Sequence, residues 1–231
     1  MKYTNVHNLP DRIIRQLPVY YPPKEKRISV TDLINPPRIR TLQIEKWDQI
    51  EIDYSDLLST IFGLSLHERQ DRLVSSDEES ETKFEDIIDG ITLVGRSDNY
   101  DLAEKVIRDT KVIPVDRLNF QDFFTELEKQ LNIYAYQRRL RDQEVKGLEG
   151  DFYFRDWKKR EADKDAEKWA VMKKGQKRAV RLFDTGEEAV EFAYQIAGYV
   201  EHRESTGYPQ IPVKWSVPVN LWTFEKQKEF V

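Results

Sequence analysis

Two acids and a lysine have the types and spacing to do chemistry: Asp98, Asp109 and Lys111, all within Ile91 to Ile113 (ITLVGRSDNYDLAEKVIRDTKVI). The stretch reads as two β-strands joined by a polar turn. Leu93 and Gly95 fall on one parity and Val94 on the other, while Val106, Ile107, Val112 and Ile113 bracket the second acid. Side chains along a strand alternate between faces, so Asp109 and Lys111 emerge together. A hairpin turning near Leu102 to Glu104 brings Asp98 beside Asp109. Two carboxylates and an ammonium suit a core poorly and a metal-assisted reaction well. Phosphodiester hydrolysis, for example, needs a divalent cation on oxygen ligands and positive charge to stabilise the transition state.

The elements that must position these groups are read from either side. Tyr3 to Glu25, with prolines at 10, 18, 22 and 23, reads as an irregular arm. Thr31 is a candidate cap for a short helix that Pro36 and Pro37 interrupt, and Arg38 and Arg40 are either phosphate contacts or a solvated pair. Asp53 to Leu73 is predicted as a helix capped near Ser55 or Asp56. Leu57, Leu58, Ile61, Phe62, Leu64 and Leu66 form its apolar band, and Thr60, Gly63, His67 and Asp71 share one stripe. A helix-interior glycine costs about 1 kcal/mol relative to alanine, so Gly63 implies a close approach to the sheet. Ser75 to Asp89 is acidic and reads as a solvated, mobile loop leading into an early strand, with no metal-binding role.

Arg117 to Glu144 reads as the longest helix, burying Phe120, Phe123, Phe124, Leu127, Leu131, Tyr134 and Ala135. Gly150 to Trp157 is an apolar, aromatic strand. Lys168 to Arg181 holds Lys168, Lys173, Lys174, Lys177, Arg178 and Arg181 with no acid, and serves either as a phosphate-backbone contact or as solvated surface. Trp169 within it either stacks on a base or packs on the core. Thr185 caps a helix expected to run to Glu204, with His202 at its C-terminal end, and the chain closes with an edge strand containing Pro218 and a short helix.

Gly95-x2-Asp98, ten residues, then Asp109-x-Lys111 resembles motifs II and III of the RecB-like exonuclease branch of the PD-(D/E)XK nucleases. Gly63-x3-His67-x3-Asp71 resembles motif I of the same enzymes, with Asp71 where glutamate is usual, and QLNIYAY, with Gln130 and Tyr134, resembles their Q-L-x-x-Y signature. Asn35-Pro36-Pro37-Arg38 stands where related phage and CRISPR-associated nucleases have Cys-Pro-Arg, so no iron-sulfur cluster is expected. The resemblance implies an α/β fold with a restriction-endonuclease-like core, a central mixed β-sheet flanked by helices. It implies that His67, Asp98, Asp109 and the backbone carbonyl of Thr110 bind one or two Mg²⁺ or Mn²⁺ ions, with Asp71 touching a second ion. Lys111 would position or deprotonate water, its proton affinity lowered by the cation, and Gln130 and Tyr134 would flank the site and contact DNA along with Lys173, Lys174, Lys177 and Arg178. It further implies a metal-dependent DNA exonuclease of phage or prophage recombination and repair. Such exonucleases often work with a single-strand annealing protein, and some assemble as rings around DNA; these residues fix neither.

The 231 residues suit a single domain over 1–231, with an arm and short helix over 1–50, the motif-bearing core over 53–144, and sheet completion, basic strip and terminal helices over 150–231. No cysteine excludes disulfides and a thiol nucleophile, and the N-terminus lacks an apolar leader, so a cytoplasmic protein with no membrane contact is expected. A net charge of −5 argues against coating nucleic acid with the whole surface. A nucleotide phosphohydrolase would be expected to carry a glycine-rich phosphate cradle, which this chain lacks. The remaining alternative is a catalytically inactive nuclease fold that binds DNA ends or a partner. Against it, a dead site has no physical reason to keep buried acids unpaired.

Overall fold

Backbone hydrogen bonding divides the chain into the elements that its punctuation residues set. The computed structural model describes residues 1–72, 74–166, 168–175, 179–206 and 208–231, with the side chains of residues 67, 70 and 71 outside that description. β1 (Lys2–Thr4) and the short α1 (Asp11–Ile14) occupy the expected irregular arm. β2 (Arg27–Ser29) leads into α2 (Val30–Ile34), whose cap is Ser29 rather than Thr31: the Ser29 hydroxyl accepts from the Asp32 amide, and the Asp32 carboxylate accepts from the Ser29 amide. Pro36 and Pro37 end α2 and begin α3 (Pro37–Lys46), since proline lacks only a donor that the first helical turn leaves unused. β3 (Glu51–Asp53) pairs in parallel with β1. The Asp53 side chain caps a 3₁₀ turn over Tyr54–Leu57, and α4 (Leu58–Arg72) follows.

Next come β4 (Glu78–Ile88), β5 (Ile91–Asp101) and β6 (Val106–Ile113), then α5 (Gln121–Arg139), β7 (Gly147–Phe154) and α6 (Lys159–Asp165). β8 (Lys168–Met172), β9 (Arg181–Phe183), α7 (Gly186–Gln195), β10 (Tyr199–Arg203), β11 (Val213–Val219) and α8 (Phe224–Phe230) complete the chain. The class is mixed α/β, with a six-stranded mixed sheet in the order β11-β7-β6-β5-β2 and β4 also paired to β5. Among the described residues, no helix is long and apolar enough to cross a membrane.

Two compact units emerge where the sequence had suggested no boundary: Met1–Tyr153 with Trp215–Val231, and Phe154–Lys214. The first holds the sheet, and α5 packs on β5 and β6, meeting β5 through Tyr134, Gln137 and Arg138, with Leu127, Leu131, Ile133 and Ala135 also buried. The second is a three-stranded sheet in the order β10-β8-β9, with α7 packed on one face around Val171, Ala189 and Ala193.

Several expectations change. The acidic stretch predicted as a loop is β4, hydrogen-bonded along its length to β5. Around its inward residue Phe84 most of its acids are ion-paired rather than solvated, Glu79 with Arg138, Glu81 with Arg96, Glu85 with Arg27 and Asp86 with Arg141, and composition hid those partners. Gly63 makes no close approach, since a Cβ there would meet nothing within 4 Å. Phe120 is exposed ahead of α5. The helix capped by Thr185 stops at Gln195, because Ala197 takes φ +52° and Gly198 packs against the Met172 carbonyl; His202 therefore lies in β10.

Gly95 is the close approach that does matter. A Cβ there would lie 2.0 Å from Oε1 of Gln137 and 3.2 Å from Cε1 of Tyr134, both on α5. Gln137 is fully buried and donates to Asp86 Oδ2 at 2.8 Å, so it has no free space to swing into. Gly95→Ala is expected to destabilise by about 1–3 kcal/mol, as overpacking does. In Gly95→Ala/Gln137→Ala the two losses should fall short of additive by at least about 0.5 kcal/mol in denaturant unfolding, and strict additivity would refute the contact.

Candidate active site

The site lies where the pairing of β5 divides. β4 runs along one edge of β5 from Ile91 to Asp101. The other edge is shared: β2 pairs with Thr92–Val94 and β6 pairs with Asn99–Asp101. Residues 95–98 lie between these two ladders, and Asp98 is the last residue before the β6 ladder begins. Its side chain replaces the missing ladder bond, Oδ2 accepting from the Thr110 amide at 2.9 Å. One residue before Thr110, Asp109 is almost completely buried.

The strands also reverse phase here. Arg138, fully buried on α5, donates to Glu79 at 2.9 Å and lies 3.4 Å from the Thr82 hydroxyl of the same strand. On β5 its guanidinium lies 3.5 Å from the Ser97 hydroxyl and 3.8 Å from the Tyr100 ring centroid. Glu79 and Thr82, like Ser97 and Tyr100, are three apart, and a regular strand would put them on opposite faces. The reversal falls at Glu81, which has φ +51° and stands opposite Asp98, between the paired Ser80 with Asn99 and Thr82 with Ser97. A non-glycine residue at such φ costs of order 1–3 kcal/mol and persists only where its surroundings enforce it. Glu81 is mostly buried and ion-paired to Arg96.

The charges are arranged around Asp109. Lys111 Nζ lies 2.9 Å from Asp109 Oδ2 and donates to Oδ1 at 3.1 Å. The contact to Oδ2 is electrostatic only, since its direction makes no hydrogen bond and the atom has no donor. Gln130 Nε2, from α5, lies 3.2 Å from Oδ1 and 3.0 Å from the Tyr134 hydroxyl. Burial, reinforced by the charge of Asp109, pushes the Asp98 carboxyl up to about 7, against the pull of Lys111 and the Thr110 amide. Burial works to lower the Lys111 ammonium, but the negative charges of Asp109 and Asp98 outweigh it and hold Lys111 above its ordinary value. Burial and then Asp109 also raise the Tyr134 phenol, so it stays protonated.

Beside the carboxylates is a cavity of about 230 Å³ lined by Val74, Glu78, Ser80, Asp98, Asn99, Arg108, Thr110 and Asp151. Arg108 is consumed by Asp101, Glu104 and Glu149 at 2.8–3.0 Å, so its charge holds the hairpin rather than the cavity. Asp151 accepts from the Ser216 amide at 2.7 Å, and burial pushes its carboxyl up.

Known proteins add little about this site. The family described as "Uncharacterized protein conserved in bacteria (DUF2188)" matches residues 161–206, inside the second compact unit. No curated protein matches the chain. A solved crystal structure of SSO0001 is similar at 21% identity and a TM-score of 0.41, covering 58% of this chain and 65% of that one.

The fold brings together Asp98, Asp109, Thr110, Lys111, Gln130 and Tyr134 from the predicted set. The side chains of His67 and Asp71 lie outside the described residues, although α4 itself is described. Lys173 and Lys174 are exposed on the turn after β8, and Lys177 and Arg178 lie outside the described residues. Trp169 packs: its ring centroid is 4.3 Å from that of His202, and it lies against Gly186. Among the described residues, no three His, Cys, Asp or Glu side chains converge closely enough to ligate one metal ion. Sequence reasoning missed Glu81 and Asp151. The first carried no signal, since its role depends on a positive φ inside β4; the second sat in a strand read only for its apolar residues.

The raised Asp98 makes a pH prediction for protein kept in chelator. An acid whose folded value exceeds its unfolded one opposes folding once it ionises, so stability falls as pH rises from about 4 to about 7. The raised Lys111 contributes fully throughout that window and is lost only in strongly alkaline solution. Asp98→Asn keeps an acceptor for the Thr110 amide and removes the charge. It should raise the unfolding midpoint at about pH 8 by at least about 2 °C, the shift expected per kcal/mol for a chain of this size, with the gain vanishing near about pH 4. A gain independent of pH, or a loss at about pH 8, would refute the burial of this charge.

Proposed function

We propose that this site is that of a metal-dependent deoxyribonuclease of the PD-(D/E)XK kind, RecB-like and exonucleolytic. The observation that carries the reading is the buried Asp109, whose Oδ2 has no hydrogen-bond donor among the described residues and only the Lys111 charge beside it, next to an Asp98 that burial and Asp109 both disfavour as a charge. Two buried carboxylates that repel each other form an oxygen donor set suited to a hard divalent cation, and the Thr110 carbonyl is the third oxygen of the set. Held there, Mg²⁺ or Mn²⁺ would supply Lewis acidity at a scissile phosphate.

The protein's own groups have the remaining roles. Lys111, held protonated and fixed on Asp109, places positive charge where negative charge grows on the phosphate. In this arrangement it is an acid and an electrostatic stabiliser, and the role of base suggested by the motif would need its proton affinity reduced. Tyr134 receives a hydrogen bond from Gln130 and keeps its own proton to donate to a phosphate oxygen. Water has access through the cavity beside Asp98, and Gln130 of α5 lies against Asp109.

The test is cleavage of linear and covalently closed circular duplex DNA with Mn²⁺, with Mg²⁺ and with chelator. Linear DNA alone should be lost, only with metal, and Asp109→Ala and Lys111→Ala should each reduce the rate by about a hundredfold or more, as loss of a charge-stabilising group does. Cutting of circular DNA would make the enzyme an endonuclease. Binding of DNA ends with both substrates left intact would replace catalysis with the binding-module reading.

A further inference from the structure

The second compact unit has a charge pattern of its own. Phe154–Lys214 carries 13 Lys and Arg against 11 Asp and Glu, a net +2, while the rest of the chain is net −7. Within the unit a basic groove and an acidic helix surface lie on opposite faces of the three-stranded sheet. Trp169, Val171, Phe183 and Val200 turn toward α7, so Leu182 and Arg203, one position out of phase, turn to the opposite face. The outer side of α7 is acidic, with exposed Glu187, Glu188 and Glu191. The opposite face carries α6 and an open groove of about 730 Å³ lined by Lys159, Arg160, Asp163, Lys164, Leu182 and Arg203.

The groove is a built feature. Asp165, at the end of α6, accepts from the Thr206 amide at 2.9 Å and the Tyr208 amide at 2.8 Å, and the Lys158 amide donates to the Tyr208 hydroxyl at 2.9 Å. Hydrogen bonds from Ser205 and Thr206 hold the Asp165 carboxyl well below the usual range, so it stays charged and α6 stays tied to the segment leaving β10. Lys164 is paired with Glu161 at 3.0 Å, but Lys159, Arg160 and Arg203 make no ion pair among the described residues. Leu182, 48% exposed, is the apolar patch of the groove floor. Four cations against one carboxylate, Asp163, around exposed Leu182, in an otherwise acidic protein, suit a linear polyanion whose phosphates are spaced along a chain.

We infer that this groove between α6, β9 and β10 is a second DNA-binding site, one that holds the phosphate backbone. The choice of DNA as the polyanion rests on the nuclease reading, while the groove itself does not. Lys173 and Lys174, on the turn after β8, are a separate basic feature and serve as the comparison.

The experiment measures binding of a fluorescent duplex by the full chain in chelator, across a salt series, with cleavage in Mn²⁺ measured in parallel. The variants are Lys159→Ala/Arg160→Ala/Arg203→Ala, the single Arg160→Ala, and Lys173→Ala/Lys174→Ala. The triple variant should weaken binding at least about tenfold and lower the salt slope by about 2–3, and the single variant should lower it by about 1, since each phosphate contact adds about 0.9. The lysine pair should change the slope less than the triple. The three positions are exposed, so the unfolding midpoint should not move, and the single variant decides the question if the triple fails to fold. An unchanged slope in the triple and single variants, or a loss confined to the lysine pair, overturns the groove. If wild type cuts DNA and the triple binds and cuts equally, the groove fails and the nuclease stands. If wild type does not cut yet binds through the groove, the reverse holds.

Discussion

Everything near the candidate site depends on the division of one strand's edge. β5 gives one side wholly to β4 and splits the other between β2 and β6, and Asp98 stands where the β6 ladder takes over. A backbone group left without a ladder partner must find another, because an unpaired buried amide is costly. The Thr110 amide finds the Asp98 carboxylate, which fixes the acid's orientation and places Asp109 one residue away. The local reversal of β4 and β5 at Glu81 and Asp98 follows from the same irregularity, and it allows one arginine of α5 to reach both sides of the break.

α5 is held to this region by polar contacts as much as by apolar ones. Arg138 lies between Tyr100 and Phe84 with Glu79 as its charge partner, and Gln137 reaches Asp86 across the bare backbone of Gly95. Buried polar clasps of this kind contribute little net stability compared with apolar packing, but they accept only one register. Register is what Gln130 and Tyr134 require, being two and one turns earlier on the same helix and meeting Asp109 only if α5 does not slide. The Gln137 carbonyl and the Arg138 Nε remain without partners, consistent with a clasp whose geometry serves position before satisfaction.

The hairpin from Ile91 to Ile113 was legible because its period-2 alternation and its turn agree, and Asp109 with Lys111 on one face follows from parity alone. The pairing of Gln130 with Asp109 was legible only as a motif, since nothing in a helical repeat says which strand the helix will cover. β4 was misread because acids that find arginine partners only once the strand is folded look, by composition, like a solvated loop. Glu81 lies beyond such reading altogether: its role comes from a positive φ and from what stands opposite it, and both arise only once β4 and β5 pair. The boundary between the two compact units was missed for a related reason. The chain turns abruptly from apolar to charged after Phe154, but a charge run reads as surface rather than as a boundary, and the second unit's small core around Val171, Ala189 and Ala193 reads equally well as part of one domain.

Electrostatics links the two units without reference to their arrangement. A centre with buried Asp98 and Asp109, in a unit of net −7, repels a polyanion at every distance where screening is incomplete. A divalent cation would relieve that repulsion within its own coordination shell, while the nearby acids of β4 are already paired to arginines, Glu79 with Arg138 and Glu81 with Arg96. Affinity for a nucleic acid would then have to come from positive charge kept apart from the reacting groups, where it does not neutralise the carboxylates that a metal needs. Phe154–Lys214 has four cations against one carboxylate in the groove on one face of its sheet and an acidic helix surface, α7, on the other. On these terms the acidic balance of the whole chain is compatible with a DNA substrate, because what decides binding is where the cations stand rather than how many there are.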